Sequence, residues 1–594
     1  MDQLRIKEII SSKYPQFLSG YPLFVKKYIS FTLEKLLYLK RINKFISEHN
    51  DKSEIEFIDE LLEYLDITYT ASSKDRSKIP SEGKLLIVAN HPLGGLDGLI
   101  LLKLISEVRR NVKIIANDLL MNVPNLSNLF LPYDLFYNKN FKKNYEIITN
   151  SIKNEDAIII FPAGEVSRFS FGGIKDSKWK KGVVYFADKY QIPVLPVYIK
   201  SRNSIIFYFI SLIHKSFSTL LLPHELFNKK GKTFHIKIGN HISHKAFSTK
   251  YQKIDFLTKT LKKHVQLIGK NKKGIFETEK NVIHPVETKK LREQLADNKY
   301  LGNTSDGKMF YFVDYKNGKD IIKEISRLRE LTFRKVGEGT GLKNDFDIFD
   351  KYYKHLVLWD DEKLEIAGSY RLGFGKEILD TLGRKGFYTS TLFDYNDKFF
   401  NYLPYSIEMG RSFLQSKYWN SLALDYLWQG VGKILQSYPQ IRYLFGPVSL
   451  SNNYSSEAKN LIIYFYKKWF PEKDNLISSK IPFIISDKSM IEMQEFFSFN
   501  DFRKEFILLK NRLKLLGFSI PTLYKQYSDL CAPGGVQFLS FNVDPVFQNC
   551  VDAFILIDLT MIKDSKKERY LSNNNNSEYT DFIKSKTNYS KVLI

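Results

Sequence analysis

The sequence predicts a two-domain α/β protein, and three observations carry that expectation. Short apolar runs at LLIVAN (85–90), VKIIAN (112–117), AIIIFPA (157–163) and IPVLPVYI (192–199) alternate with helical stretches. Apolar runs without alternation mark strands buried on both faces, hence a largely parallel sheet. A polar, unpatterned stretch, KNKKGIFETEKNVIHPVETKK (270–290), then interrupts the texture and reads as a linker. Beyond it a second mixture of helices and strands begins near Leu291.

Each element follows from its pattern. FIDELLEYL (57–65) has apolar spacing near 3.6, which places a helical region over 1–70. The first α/β unit spans 71–269 and closes with the strand HIKIG (235–239) and a basic helix near 249–268. The second spans 291–570. Its helices are IIKEISRLRELTF (321–333), SLALDYLWQGVGKILQSY (421–438) and EAKNLIIYFYKKWF (457–470), and its strands lie around EIAGSYRLG (365–373) and IRYLFGPVS (441–449). The tail 571–594 contains LSNNNNSEYTDFIKSK, a low-complexity stretch expected to be mobile.

Composition narrows the function classes. The 594 residues are 43% hydrophobic and 26% charged, which excludes a disordered chain. The two cysteines, Cys531 and Cys550, exclude a disulfide framework and a Cys-rich zinc module. The longest apolar run, Ile205 to Ile213, falls far short of the ~18 residues a membrane span needs. The N-terminal MDQLRIKEIISSKYPQF lacks a secretory apolar core. These features read as a soluble or peripheral protein of a reducing compartment. With 89 Lys+Arg against 65 Asp+Glu, the net charge of +24 calls for an anionic partner. Aromatic residues, at 15%, set among lysines suit a membrane interface better than nucleic acid, since no zinc-finger or basic-region pattern is present.

One constellation lies at 85–203. The strand LLIVAN runs into His91-Pro-Leu-Gly-Gly-Leu-Asp97-Gly. A neutral imidazole can take a hydroxyl proton while a carboxylate fixes its tautomer and stabilises the imidazolium, which is what acyl transfer to an alcohol needs. FPAGEVSR (161–168) ends another strand. Its Gly164 gives a tight turn, and Ser167 and Arg168 can hold an anionic headgroup. IPVLPV supplies an apolar wall for an acyl chain. No metal is expected, because His91 and Asp97 lack a third ligand and His241 and His244 form only a pair.

These blocks, in this order over about 80–245, resemble the lysophosphatidic-acid-type glycerolipid acyltransferases. The resemblance implies an α/β sandwich, a catalytic pair His91 and Asp97, and an acceptor-binding block holding Gly164, Glu165, Ser167 and Arg168. Two departures stand out. Five residues separate His91 from Asp97 where the family has four, and Ala163 stands where the usual FPEGTR has Glu. Such variants resemble the subgroup that makes aminolipids.

The other constellation lies at 321–470. Arg329 and Phe333 share a helix face, and GEGTG (337–341) reads as a flexible connection. Asp347, Asp350, Arg371, Glu408 and Arg411 follow. Charges at this density must pair or bind ligand. Gly430 and Gly432, read as near the first turns of their helix, offer backbone N–H groups to a pyrophosphate or phosphopantetheine. Asp544, Asp552 and Asp558 read as turn and strand-end residues, or as receivers of a cationic amine. The Arg-x-x-x-Phe, Asp-x-x-Asp, Arg-Leu and Glu-x-x-Arg elements resemble the GNAT superfamily, in particular its acyl-homoserine-lactone synthase and ornithine N-acyltransferase branch. That resemblance implies that Glu408 organises amine deprotonation, directly or through water. It also implies that Arg371 and Arg411 orient substrate, and that the Trp428-to-Gly432 segment meets the acyl donor. Leu427 stands where the acyl-CoA loop has Arg or Gln, which favours an acidic acyl-carrier protein over acyl-CoA as donor.

Taken together, the chain resembles fused bacterial ornithine-lipid synthases. That implies a bifunctional acyltransferase of the cytoplasmic face of the inner membrane, acting on an amino acid and its lyso-lipid, with no bound cofactor. Ornithine, glycine and lysine all fit the amine acceptor, and the resemblance leans to ornithine. Two rivals stay open: a phospholipid-remodelling acyltransferase with a recruiting second unit, and a non-enzymatic membrane-surface scaffold.

Overall fold

The computed structural model describes residues 31, 34–35, 38–116, 123–132, 141–170, 173–213, 218 and 221–571. The first part of the N-terminal helical region and the tail after 571 lie outside the described residues. The chain divides into two compact units between His284 and Pro285. No helix of the described residues is long and apolar enough to cross a membrane.

In the first unit, seven strands form one sheet: β1 (Thr68–Thr70), β2 (Leu85–Ala89), β3 (Val112–Ala116), β4 (Phe130–Pro132), β5 (Ala157–Ile160), β8 (Val194–Lys200) and β9 (Thr233–Ile238). Two short strands, β6 (Arg168–Ser170) and β7 (Gly173–Lys175), pair separately. The sheet order is β1-β9-β8-β2-β5-β3-β4, parallel throughout except for the β8–β9 pair. The apolar runs lack alternation because both faces are covered. Leu85, Ile87 and Ala89 enter a core beneath α1 (Glu54–Tyr64) and α2 (Gly95–Ser106). Leu86 and Val88 enter the opposite core beneath α3 (Gly182–Lys189) and α5 (Ile254–Gly269). Between these two helices in sequence lies α4 (Ile205–Ile213).

The stretch read as a linker is tethered over its first part. Ile275 and Phe276 donate backbone N–H groups to the buried His264, and the Asn281 amide donates to the Ser77 and Ile79 carbonyls. A polar stretch can dock by hydrogen bonds that leave no apolar period, so sequence pattern did not reveal this.

The second unit is built on an eight-stranded sheet. Its strands are β10 (Lys299–Asn303), β11 (Met309–Val313), β12 (Lys354–Asp360), β13 (Glu365–Phe374), β15 (Ser406–Leu414), β16 (Tyr443–Leu450), β18 (Val536–Asp544) and β19 (Cys550–Asp558), and β14 (Phe393–Tyr395) pairs with β17 (Ile477–Ser479) apart from it. The order is β10-β11-β12-β13-β15-β16-β19-β18, antiparallel except for β15–β16. Again both faces are covered. Val357 and Trp359 pack under α6 (Lys319–Val336), while Leu356 and Leu358 pack under α7 (Ala423–Ser437) and α8 (Ser456–Trp469).

One feature of this sheet shapes the site. The parallel pairing of β15 with β16 covers only Ser406–Glu408 against Tyr443–Phe445. At the next position a Cβ on Gly446 would overlap the Met409 carbonyl, so glycine permits the close approach at which the strands part. On its other side β15 carries a bulge opposite Ser369–Arg371, with Arg411 at φ 50°. A left-handed arginine is a costly conformation of the kind that gathers where side chains must be re-aimed.

Two candidate active sites

The first site forms where β2 ends. Asn90 locks the strand end to its neighbour, its amide donating to the Ile199 carbonyl at 3.0 Å and accepting the Ile199 N–H at 2.7 Å. The chain then turns through Gly94, at φ 93°, into α2. Asp97 sits in the first turn of α2, fully buried, where the helix N-terminus favours an anion. Its Oδ2 accepts three hydrogen bonds: from Leu93 N–H at 2.8 Å, from Gly94 N–H at 3.1 Å and from His91 Nδ1 at 3.0 Å. Burial pushes its pKa up, against the lowering pull of His91 and of those amides. With Nδ1–H given to Asp97, the basic atom of His91 is Nε2. The imidazole stacks on Phe161 at 4.1 Å and keeps one edge open, its side chain 17% exposed. This is the geometry of a general base held by a carboxylate.

FPAGEVSR folds beside it, and the roles of its residues divide. Gly164 makes the expected turn, its N–H on the Phe161 carbonyl at 3.0 Å. Ser167 does not face a headgroup. It is buried, its N–H donates to the His91 carbonyl at 2.7 Å, and its hydroxyl bonds to Asp176. Ser167 therefore braces the loop that carries His91. Asp176 completes the brace, accepting from His91 N–H at 3.3 Å and from Trp179 Nε1 at 2.9 Å. Sequence reading missed Asp176, whose only signal was an acid three residues before a buried tryptophan. Arg168 is mostly buried, its side chain 13% exposed, bonded to Ser218 and 3.4 Å from the Glu165 carboxylate, which is 35% exposed.

The second site gathers most of its predicted charges into one buried network. Arg329, fully buried, donates Nε to Asp345 at 2.7 Å and both terminal nitrogens to Asp350 at 2.9 and 2.8 Å. Arg371 donates to Asp347 at 2.6 Å, and Arg411 to Asp345 at 2.9 Å and Asp347 at 3.3 Å. Burial would raise the Asp350 carboxyl, yet Arg329 and Arg371 hold it well below the usual range. His355, fully buried beside Asp350, is pushed down to about 3 by burial. Arg371 Nε and Nη2 and Arg411 Nε find no partner among the described residues. Tyr388 lies between these cations, its ring centre 5.2 Å from Arg371 and 5.0 Å from Arg411. Asp345, His355 and Tyr388 were missed, because nothing in their spacing ties them to the motifs. Phe333 stands edge-on to Phe547, and Phe547 packs under Arg411.

Glu408 is buried at the last position where β15 pairs with β16. Thr389 N–H donates to one oxygen at 2.7 Å, and Tyr388 N–H donates to the other at 3.0 Å, which the Tyr353 hydroxyl also reaches. Burial raises its pKa. Both oxygens being occupied, Glu408 holds the 388–389 backbone and Tyr353 in place rather than touching an amine directly. Where β15 and β16 part, a small cleft is lined by Met409, Phe445, Gly446, Pro447, Tyr527 and Ile555 among others.

The GEGTG connection is held rather than loose, with Thr340 and Gly341 N–H groups on Glu330 at 3.1 and 2.9 Å. The expectation for Gly430 and Gly432 is corrected. Their helix starts at Ala423, so they lie in its middle, where N–H groups are spent on helical bonds. A Cβ on Gly430 would press on Leu356 and Phe310, and one on Gly432 would overlap the Tyr570 carbonyl of α9 (Asp564–Leu571). Close packing accounts for both glycines. Trp428 is likewise buried, packed on Tyr527 and Tyr570. Asp544 and Asp558 end their strands as expected, but Asp552 lies within β19, and burial pushes its carboxyl well up. Glu338, pushed up to about 7 by burial, and Asp544 act on that same carboxylate.

Comparison with known proteins agrees with this division. An acyltransferase family model matches residues 8–269, and an acetyltransferase (GNAT) domain model matches 328–429. The chain is 32% identical over 304 residues to a glycine N(alpha)-acyltransferase of Phocaeicola vulgatus, covering 49% of this chain and 92% of that protein. It is 32% identical over 249 residues to a lyso-glycine lipid O-acyltransferase of Bacteroides thetaiotaomicron, covering 41% of this chain and 89% of that protein. The solved structure of a 1-acyl-sn-glycerophosphate acyltransferase from Thermotoga maritima aligns at 18% identity and TM-score 0.25, over 41% of this chain and 97% of that one. The two family models and these relatives make the chain an enzyme that transfers acyl groups. The chain belongs to the aminolipid acyltransferase family and joins its two kinds of domain in one polypeptide, as a bifunctional acyltransferase.

Proposed function

We propose that the second unit joins a 3-hydroxyacyl chain to the α-amine of glycine, and that the first unit then esterifies the exposed 3-hydroxyl with another acyl chain. The order follows from chemistry, since the hydroxyl must be on the molecule before it can be acylated. The observation that carries the reading is the His91–Asp97 pair and the Glu408-centred site on one chain, each in a unit whose relatives are named for one of these two steps.

In the second unit the amine attacks the donor thioester. A C–N bond forms, the C–S bond breaks, and the thiol leaves with the proton. The acyl chain enters at the parting of β15 and β16, and Arg371 and Arg411 orient the amino acid's carboxylate through their unspent N–H groups. Glu408 acts through Tyr353 and the 388–389 backbone. In the first unit His91 Nε2 takes the 3-hydroxyl proton as the oxygen attacks a second thioester, and Asp97 stabilises the imidazolium. Arg168 anchors the headgroup carboxylate. The donor is an acyl-carrier protein, to which the +24 charge is complementary. The work takes place at the cytoplasmic face of the inner membrane.

Ornithine is the second reading for the amino acid. The buried carboxylates of Asp544 and Asp552 near Arg411, with Glu338 beside Asp552, favour a substrate with a second ammonium group. Purified chain given 3-hydroxyacyl carrier protein with glycine or ornithine in turn decides between them. Glycine should yield the N-acyl product at least tenfold faster. A reversal would establish ornithine, and no product from either would overturn the N-acylation reading.

A further inference from the structure

The longest apolar run of the sequence forms α4, and the function described so far leaves it unused. It has two unlike faces. Phe207, Tyr208 and Ser211 are buried against the unit. Ile205, Ile206, Phe209, Leu212 and Ile213 are 64 to 87% exposed. These five fall at i, i+1, i+4, i+7 and i+8, which is one continuous helical stripe. A stripe of five large apolar side chains in water is not the surface of an ordinary soluble domain.

Three further observations say what covers it. Phe169 and Ile174, directly paired across β6 and β7, are exposed as well, 53 and 36%. Strand β6 is the element α4 packs against, so a second apolar prong stands beside the stripe. The chain entering α4 carries Lys200 and Arg202, both exposed, and no acid occurs from Gln191 to Ile213. An apolar stripe entered through a cationic, acid-free stretch of chain fits the interface of an anionic bilayer. Finally, the underside of α4 touches the acceptor site: the Phe207 ring lies 6.0 Å from the Arg168 guanidinium, and Arg168 begins β6.

We propose that α4, with Phe169 and Ile174, inserts into the surface of an anionic phospholipid bilayer and so brings Arg168 to headgroup depth, where the lyso-lipid presents its carboxylate. The stripe takes the place of water on acyl chains, while Lys200 and Arg202 meet lipid phosphates. This rests on the reading of the first unit as an enzyme of lipid acceptors.

The test is co-sedimentation of the full chain with vesicles of phosphatidylglycerol and phosphatidylethanolamine, and with phosphatidylcholine vesicles. Wild type should sediment with the anionic vesicles at least tenfold more tightly. Ile206→Asp with Phe209→Asp should weaken that binding tenfold or more. The separate pair Lys200→Glu with Arg202→Glu should weaken it severalfold and flatten its salt dependence. Both pairs should esterify a short-chain, water-soluble N-(3-hydroxyacyl) amino acid within about twofold of wild type, which also shows that they fold. Wild type that ignores anionic vesicles would overturn the proposal. So would an Ile206→Asp/Phe209→Asp protein that sediments normally, or a dimer in light scattering that this pair dissociates, since the stripe would then belong to a second copy. If wild type binds vesicles through α4 but never esterifies the short-chain acceptor, the docking surface stands and the O-acylation reading falls.

Discussion

Asp97→Asn separates the two things Asp97 does for His91, which are to hold the ring and to carry a charge. The asparagine side chain is the same size, and its amide oxygen can take the position of Oδ2 and keep the Leu93 and Gly94 N–H bonds. The His91 Nδ1–H bond at 3.0 Å is also kept, now to a neutral acceptor. Only the charge is lost. Two unit charges 3.0 Å apart interact by about 5.5 kcal/mol at an effective dielectric near 20. Part of that is present before the imidazolium forms, so the loss should fall within the range of about 10²–10⁴ in kcat set by general-base catalysis. KM for the lyso acceptor should change by less than about threefold, because Asp97 is buried and does not reach substrate. The new NH₂ would occupy the place of Oδ1, which has no partner among the described residues, at a cost of about 1–3 kcal/mol in stability. The assay is O-acyl transfer to purified lyso acceptor with kcat and KM resolved, beside a urea unfolding curve. N-acyl transfer by the same protein serves as the internal control and should persist. A kcat within about fivefold of wild type would refute the assignment of His91 as the base supported by Asp97.

Two further predictions concern the second unit. Above pH 6.5 the His355 ring is neutral whether folded or not; from there down to about 3 only the unfolded chain takes up its proton, so stability falls as pH falls. His355→Leu should remove about 1.4 kcal/mol per pH unit of acid-side slope between pH 6 and 4.5, read as the difference between variant and wild-type unfolding curves; parallel curves would contradict the buried neutral ring. Gly432→Ala should cost about 1–3 kcal/mol by forcing α9 away from α7, with the donor's KM unchanged in the folded protein. A raised KM at unaltered stability would restore the donor-cradle expectation.

The sequence revealed strands wherever both faces are covered. LLIVA and AIII stand out because every side chain is apolar, and that is a consequence of helices on both sides of the sheet. It revealed the charged motif residues of the second unit because their types and order match a known pattern. It did not reveal Asp345 between Arg329 and Arg411, since that residue earns its place by folding back across 16 and 66 positions. The parting of β15 and β16 was also invisible, because one close backbone approach at Gly446 has no periodic signature. Ser167, Gly430 and Gly432 show the converse: their residue types suit ligand binding, but their hydroxyl and N–H groups are spent inside the protein. Glu408 lies between these cases, in the expected place but with its carboxylate enclosed by three donors.

The central claim is two acyl transfers in series on one chain, and lipid mass spectrometry reads it most directly. A bacterium lacking aminolipids would express wild type, His91→Ala or Glu408→Gln. The account predicts a two-chain amino-acid lipid from wild type, its one-chain lyso form from His91→Ala, and neither from Glu408→Gln, with the headgroup mass naming the amino acid. The two-chain lipid appearing undiminished in either variant would contradict it, as would altered phospholipid chains with no aminolipid at all.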